Sequence, residues 1–148
     1  MIAVIQRVTK TSVTIGGKIH SEISKGLLIL LGVKSGDNEE QVKYLSKKII
    51  DLRIFSDEQD KMNLSVKDID GEVMVISQFT LCADNGKSGN RPSFVQAEKP
   101  ERANALYEKM ISEMKIMYKE TKIKSGVFAA DMKVELLNDG PVTIILER

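Results

Sequence analysis

The chain is poor in the residues most enzymes use for covalent or metal chemistry. Its 148 residues include one cysteine, Cys82, one histidine, His20, and no tryptophan. A lone cysteine excludes an internal disulfide and makes a reducing, cytoplasmic compartment the simplest setting. A His-containing triad or a Cys–His pair would have to use one or both of these residues. Structural zinc usually takes four Cys or His ligands and catalytic zinc three protein ligands, so no metal site is expected. No GxxxxGK[ST] or GxGxxG stretch occurs, and no cofactor is expected. Chemistry must then rest on backbone groups, hydroxyls, amides, carboxylates or the substrate itself.

Long apolar runs are missing as well. The longest, residues 27–31, is far short of the ~20 residues of a membrane helix. The first residues turn polar at Gln6-Arg7, too early for a signal peptide. Charge of one sign is not in excess: 22 basic and 21 acidic residues leave a net +1. Proteins that grip long duplexes through many phosphates are usually far more basic, so DNA is not an expected partner and any RNA contact should be short and local. With only 3 prolines and 10 glycines, sharply placed, the chain does not read as disordered. Its length suits one domain, 1–148, able to bury roughly 70% of its unfolded surface.

What is present reads as strands, helix, strands, helix, strands. Residues 2–9 and 12–15 are rich in β-branched side chains, and Gly16-Gly17 reads as a hairpin turn into residues 18–23. The apolar run 26–33, bounded by glycines, has the look of a strand buried on both faces. Asp37-Asn38-Glu39-Glu40 opens a helix with Val42, Leu45, Ile49 and Leu52 at helical spacing, an Asx cap with Glu three residues on resembling a capping box. Residues 52–55 read as a short strand, and 62–70 carry no clear signal. Residues 72–81 read as one strand, followed by a loop, 83–93, with Asn85-Gly86 and Ser88-Gly89-Asn90. A second helix starts near Pro100 and keeps Ala103, Leu106, Tyr107, Met110, Ile111, Met114 and Met117 on one face. Residues 125–137 and 142–146 read as two last strands separated by Asn138-Asp139-Gly140-Pro141. Two helices among hairpin-like strands predict a single mixed α/β (α+β) domain, largely antiparallel and barrel-like.

Two places can carry chemistry. Ser77-Gln78-Phe79-Thr80 puts three hydrogen-bonding side chains on an apolar strand, where burial is costly without partners. Alternation would set Ser77 and Phe79 on one face and Gln78 and Thr80 on the other, and a polar face turned to solvent is the plainer explanation. Asn138-Asp139-Gly140-Pro141 is plainly a hairpin turn, or else a rigid loop aiming carbonyls into a pocket. Arg7 reads as a solvated strand residue, His20 as a surface residue, Cys82 as an inert small one and the methionines as core. Lysines 115, 119, 122 and 124 form a modest basic patch, a wet or an RNA-facing surface.

Taken together, the motifs resemble the D-aminoacyl-tRNA deacylase family, also called D-Tyr-tRNA deacylases. Gln6-Arg7-Val8, Gly26-Leu27-Leu28, Arg53-Ile54-Phe55-Ser56, Lys61-Met62-Asn63-Leu64, Ser77-Gln78-Phe79-Thr80-Leu81, Arg91-Pro92-Ser93-Phe94, Gly126-Val127-Phe128-Ala129-Ala130-Asp131-Met132 and Asn138-Asp139-Gly140-Pro141-Val142-Thr143 follow in the family's order along nearly the whole chain. Cys82, where alanine is common, departs from the pattern. The resemblance implies a homodimer that hydrolyses D-aminoacyl-tRNA, and glycyl-tRNA, at the subunit interface. Ser77, Gln78, Phe79 and Thr80 of one subunit would face a cis Gly140-Pro141 of the other, with Arg7 holding that loop. Phe128 and Met132 would line the pocket for the 3′-terminal adenosine. Two mechanisms fit: attack by the Thr80 hydroxyl, for which no histidine is at hand, or attack by water helped by the RNA's own 2′-hydroxyl, with backbone amides near Phe79 and Thr80 holding the oxyanion. A non-catalytic nucleic-acid-binding module of the same fold and a hydrolase of small free esters or amides are the alternatives.

Overall fold

A computed structural model of the chain describes residues 1–84 and 90–148, so the turns expected at Asn85-Gly86 and Ser88-Gly89 lie outside the described residues. One long strand, β1 (Ile2–Ile15), organises the sheet. On one edge its second half pairs antiparallel with β2 (Lys18–Ile23) and its first half with β3 (Gly26–Gly32). The turn into β2 places Gly16 and Gly17 at φ 57° and 78°, values glycine adopts without steric cost. The other edge of β1 is covered along its length by β8 (Lys133–Glu147). Beyond β3 lie β6 (Glu72–Ser77) and β7 (Ile123–Ser125), both added in parallel. A small hairpin, β4 (Phe55–Ser56) with β5 (Met62–Leu64), stands apart.

The sheet curls until its ends meet. The Ser21 hydroxyl on β2 donates to the Ser125 carbonyl on β7 at 2.8 Å, bridging the two ends of the β2-β1-β3-β6-β7 order. Inside the curl Val8, Val13, Ile23, Leu28, Met74 and Ile76 form one apolar cluster. The opposite face of β3 and β6, with Leu27, Ile29, Leu31, Val73 and Val75, packs against α1 (Glu39–Ile50) and α2 (Pro100–Met117). The continuous apolar run of β3 follows from this two-sided burial, each fully buried aliphatic side chain contributing about 1.5–3 kcal/mol.

Helix α1 is capped one residue later than the sequence pattern suggests. Asn38 Oδ1 accepts from the Glu40 amide at 2.8 Å, and Gln41 returns the bond by accepting from the Asn38 amide at 3.0 Å. Asp37 is released from capping because it is buried in another contact, an ion pair with the Met1 ammonium at 2.7 Å.

Three expected elements differ in the structure. Strand β6 ends at Ser77, and Phe79–Cys82 form a single 3-10 turn rather than a continuation. The reason lies in its neighbour: the Gln78 amide donates to Leu31 at 2.7 Å, and β3 itself stops at Gly32, so no ladder remains to follow. Asn138-Asp139-Gly140-Pro141 is not a hairpin turn either. Chain direction does not reverse, because β1 is long enough to hold residues 133–138 and 143–147 of one continuous β8. The strand expected at 52–55 is confined to Phe55–Ser56.

Candidate active site

Where β6 stops, a cleft of about 530 Å³ opens between its end, the 126–132 loop and the first turn of α2. Ser77, Gln78, Phe79, Phe128 and Met132 all line it. Thr80, Arg7, Gly140 and Pro141 do not.

The 3-10 turn sets the chemistry of the cleft's rim. The first amides of a helical turn have no partner within it. Here the Phe79 and Thr80 amides have no backbone acceptor among the described residues, whereas Leu81 donates to Gln78 at 3.2 Å and Ala83 to Thr80 at 3.2 Å. The Gln78 side-chain amide donates to the Thr80 hydroxyl, tying both polar groups together at the turn. Alternation of a strand therefore does not describe these four residues. Phe79 is 59% exposed and meets Phe94 edge-on, ring centroids 5.0 Å apart.

The opposite wall hangs from a residue that sequence reasoning assigned only to the core. Tyr107 of α2 is buried, and its hydroxyl donates to the Val75 carbonyl at 2.9 Å and the Gly126 carbonyl at 3.3 Å. It joins β6 to the loop that carries Phe128, whose ring lies 6.0 Å from its own. Burial pushes the Tyr107 hydroxyl up to about 12, so it stays a donor at neutral pH. A tyrosine on the buried face of a helix is itself the missed signal, since a buried hydroxyl requires a partner.

The Gly-Pro element belongs to a wide bulge. Gln6 pairs with Thr143 and Val8 with Asn138, so residues 139–142 stand opposite Arg7 alone. Bulges are where a strand can re-aim residues, and proline is tolerated there because its missing N–H removes no ladder bond. Asn138 clamps the base, accepting from the Val142 amide at 2.9 Å and donating to the Thr143 hydroxyl at 3.0 Å. Arg7 fills the space beneath. Its Nε donates to the Asp139 carbonyl at 3.0 Å and Nη1 to the Ile54 carbonyl at 2.7 Å, with the Asp139 carboxylate 3.3 Å away. The Arg7 side chain is only 12% exposed, so the reading of a solvated strand charge does not hold. Gly140 sits at φ 127°, and the Gly140-Pro141 bond is cis. Both residues are exposed.

The lesser candidates fall away. His20 is exposed on β2, outside both cleft and bulge. Cys82 is buried, its thiol facing the Val33 carbonyl at 3.4 Å, and burial pushes the thiol up, away from a reactive thiolate. The basic patch at the end of α2 is largely paired: Lys119 and Lys122 both reach Asp70, and Lys115 reaches Glu120. Among the described residues no helix is long and apolar enough to cross a membrane.

Comparison with known proteins converges on one family. Residues 4–147 match D-Tyr-tRNA(Tyr) deacylase. The D-aminoacyl-tRNA deacylases of Flavobacterium psychrophilum and Sulfurihydrogenibium sp. are 55% and 56% identical to this chain, over 99% of it and 97% of each relative. Among solved structures, the c-Myc DNA Unwinding Element Binding Protein has a TM-score of 0.94 at 41% identity, over 100% of this chain and 99% of that one. A probable eukaryotic D-amino acid tRNA deacylase shares the fold, with a TM-score of 0.81 at 12% identity, over 98% and 97% of the two chains. A match spanning almost the whole chain, with relatives more than half identical, places this protein in the D-Tyr-tRNA(Tyr) deacylase family.

Proposed function

We propose that this single-domain protein hydrolyses the ester bond between a D-amino acid, or glycine, and tRNA, and that it does so in the cytoplasm as a homodimer with composite active sites. The coarser part, D-aminoacyl-tRNA deacylation, follows from the family. The observation that carries the finer part is the separation of the two halves within one chain. A cleft lies at the end of β6, rimmed by a turn whose first amides have no backbone acceptor among the described residues, while an exposed, rigidly braced Gly140-Pro141 bulge stands outside it. A second copy supplies the missing half. Strand β8 has no strand partner on its outer edge among the described residues, and its Leu136, Leu137 and Ile145 are exposed, which supports a self-association surface.

In this reading the terminal adenosine rests between Phe128 and Met132, and the ester carbonyl points at the Phe79 and Thr80 amides. Water adds to the carbonyl carbon, and the amides hold the oxygen that gains charge. One such donor is worth about 2.7–4 kcal/mol. The ribose 2′-hydroxyl assists the water, and the ester C–O bond to the ribose breaks. Ser77 and Gln78 shape the cleft, and Thr80 anchors Gln78 rather than attacking. The Gly140-Pro141 backbone from the second copy closes on Cα: an L side chain collides with it, while hydrogen fits. Glycine, with no side chain, passes the same filter.

Rates on matched D-Tyr-, L-Tyr- and Gly-tRNA test the reading, with D-Tyr and Gly cleaved and L-Tyr spared. Equal cleavage of both tyrosyl enantiomers, or a protein that stays monomeric while active, would end it. Hydrolysis of D-Tyr-tRNA ending in 2′-deoxyadenosine at the normal rate would remove the 2′-hydroxyl from the mechanism.

A non-catalytic DNA-binding reading has one observation behind it, the name of the relative at 41% identity. The net charge of +1 weighs against it. Salt-dependent binding to duplex DNA without deacylation would favour it.

A further inference from the structure

The lysines near the end of α2 are largely held in ion pairs, but of those on α1 only Lys47 is. The outward face of α1 and the residues after it form an open groove of about 730 Å³, lined by Lys43, Tyr44, Lys47, Lys48, Asp51 and Arg53 along with Leu52. Four cations against one carboxylate is a local excess of three, in a chain whose whole excess is one. That carboxylate is already shared between Lys47 at 2.6 Å and Lys67 at 2.5 Å. Lys43 and Lys48 have no ion-pair partner among the described residues. Lys43 and Lys47 stand one turn apart, a like-charge spacing that weakens a helix.

The groove also holds a half-exposed aromatic ring that carries a further cation. Tyr44 is 46% exposed, and the Arg148 guanidinium lies 5.0 Å from its ring centroid. Cations clustered along one groove match the phosphates of a nucleic acid strand.

Position decides which strand. Arg53 precedes Ile54, whose carbonyl accepts from Arg7, and the same guanidinium holds the Asp139 carbonyl beside Gly140. One end of the groove is thus fixed to the bulge. We infer that this groove binds the phosphodiester backbone of the substrate RNA just upstream of its terminal adenosine, on the protomer that lends Gly140-Pro141. The inference rests on the proposed function, in which that bulge closes over the ester.

The test replaces Lys43, Lys47 and Lys48 together by glutamine; all three are exposed, and a melting curve checks the fold. D-Tyr-tRNA and 3′-(D-tyrosyl)adenosine are then compared across salt concentrations. For the tRNA, KM at low salt rises about tenfold with kcat kept, and the slope of log(kcat/KM) against log salt falls by about 1–2. Kinetics on the adenosine ester stay within about twofold, because the groove lies upstream of that fragment. The single variant Lys48→Glu moves KM in the same direction. An unchanged KM and salt slope for tRNA, with both esters cleaved, overturns the groove and leaves the active-site reading standing. Equal losses on both esters also overturn it, since the lysines would then act on the site itself. If the unmodified protein cleaves neither ester, the proposed function fails and the groove with it.

Discussion

Replacing Gly140 by alanine perturbs the bulge at its tightest point. The backbone there has φ 127°, where an L side chain is strained by about 1–3 kcal/mol. An added Cβ would lie 2.8 Å from both Arg7 Nη2 and Val142 Cγ2, and 3.1 Å from the Val142 amide nitrogen. The guanidinium is the part able to move. Moving it stretches its bonds to the Asp139 and Ile54 carbonyls, and a charged hydrogen bond is worth about 1.5–3 kcal/mol. Strain plus one lost bond gives a destabilisation of about 2.5–6 kcal/mol, or roughly 5–24 °C in Tm for a chain of this size. Activity should fall further than stability, since a shift of about 1 Å in a positioning element costs on the order of a hundredfold in rate. The assay is a thermal melt beside the rate on D-Tyr-tRNA below the variant's Tm. Gly140→Ala with normal Tm and normal rate would refute both the packing argument and the role given to the bulge.

Three further outcomes follow. Thr80→Ala removes only the hydroxyl that receives the Gln78 amide, so deacylation persists within about tenfold; a folded, tRNA-binding but inactive variant would restore Thr80 as nucleophile. Tyr107→Phe removes the side-chain donor to the buried Gly126 carbonyl and leaves the Val75 carbonyl with the Gly126 amide alone, costing about 1–3 kcal/mol in a denaturant titration and raising KM for D-Tyr-tRNA through a loosened Phe128 loop; unchanged stability and KM would show that Tyr107 only fills space. Lys47 and Lys67 hold the Asp51 carboxyl below the usual carboxylate range, so its folded-state pKa is depressed and its contribution is present at neutral pH. That contribution fades as pH falls below about 4 through the depressed value, so Asp51→Asn should narrow the Tm difference between pH 7 and pH 3, and an identical difference would count against the pairing.

Elements with local causes were legible in the chain. The Gly16-Gly17 hairpin, the two-sided apolar strand β3 and the single apolar face of α2 need only spacing and turn chemistry to be read. Two misreadings share a different origin. Residues 77–81 keep a strand-like alternation, yet β6 stops where its neighbour β3 stops, which is a fact about another strand. Asn138-Asp139-Gly140-Pro141 has turn composition, yet a 14-residue β1 holds both flanks in one direction and converts the turn into a bulge. Arg7 was misjudged for the same reason, since a strand charge reads as solvated until the bulge over it is known.

By itself the sequence determined the chemical inventory: one histidine and one cysteine leave backbone groups, hydroxyls, amides, carboxylates and the substrate as the main resources, because side-chain supply is a property of composition. Tertiary structure alone decided that Phe79 shares a cleft with Phe128 and Met132 while Thr80 and Gly140-Pro141 stand outside its lining. Those distances depend on where partner strands end and how the sheet closes, and no local run of residues encodes either.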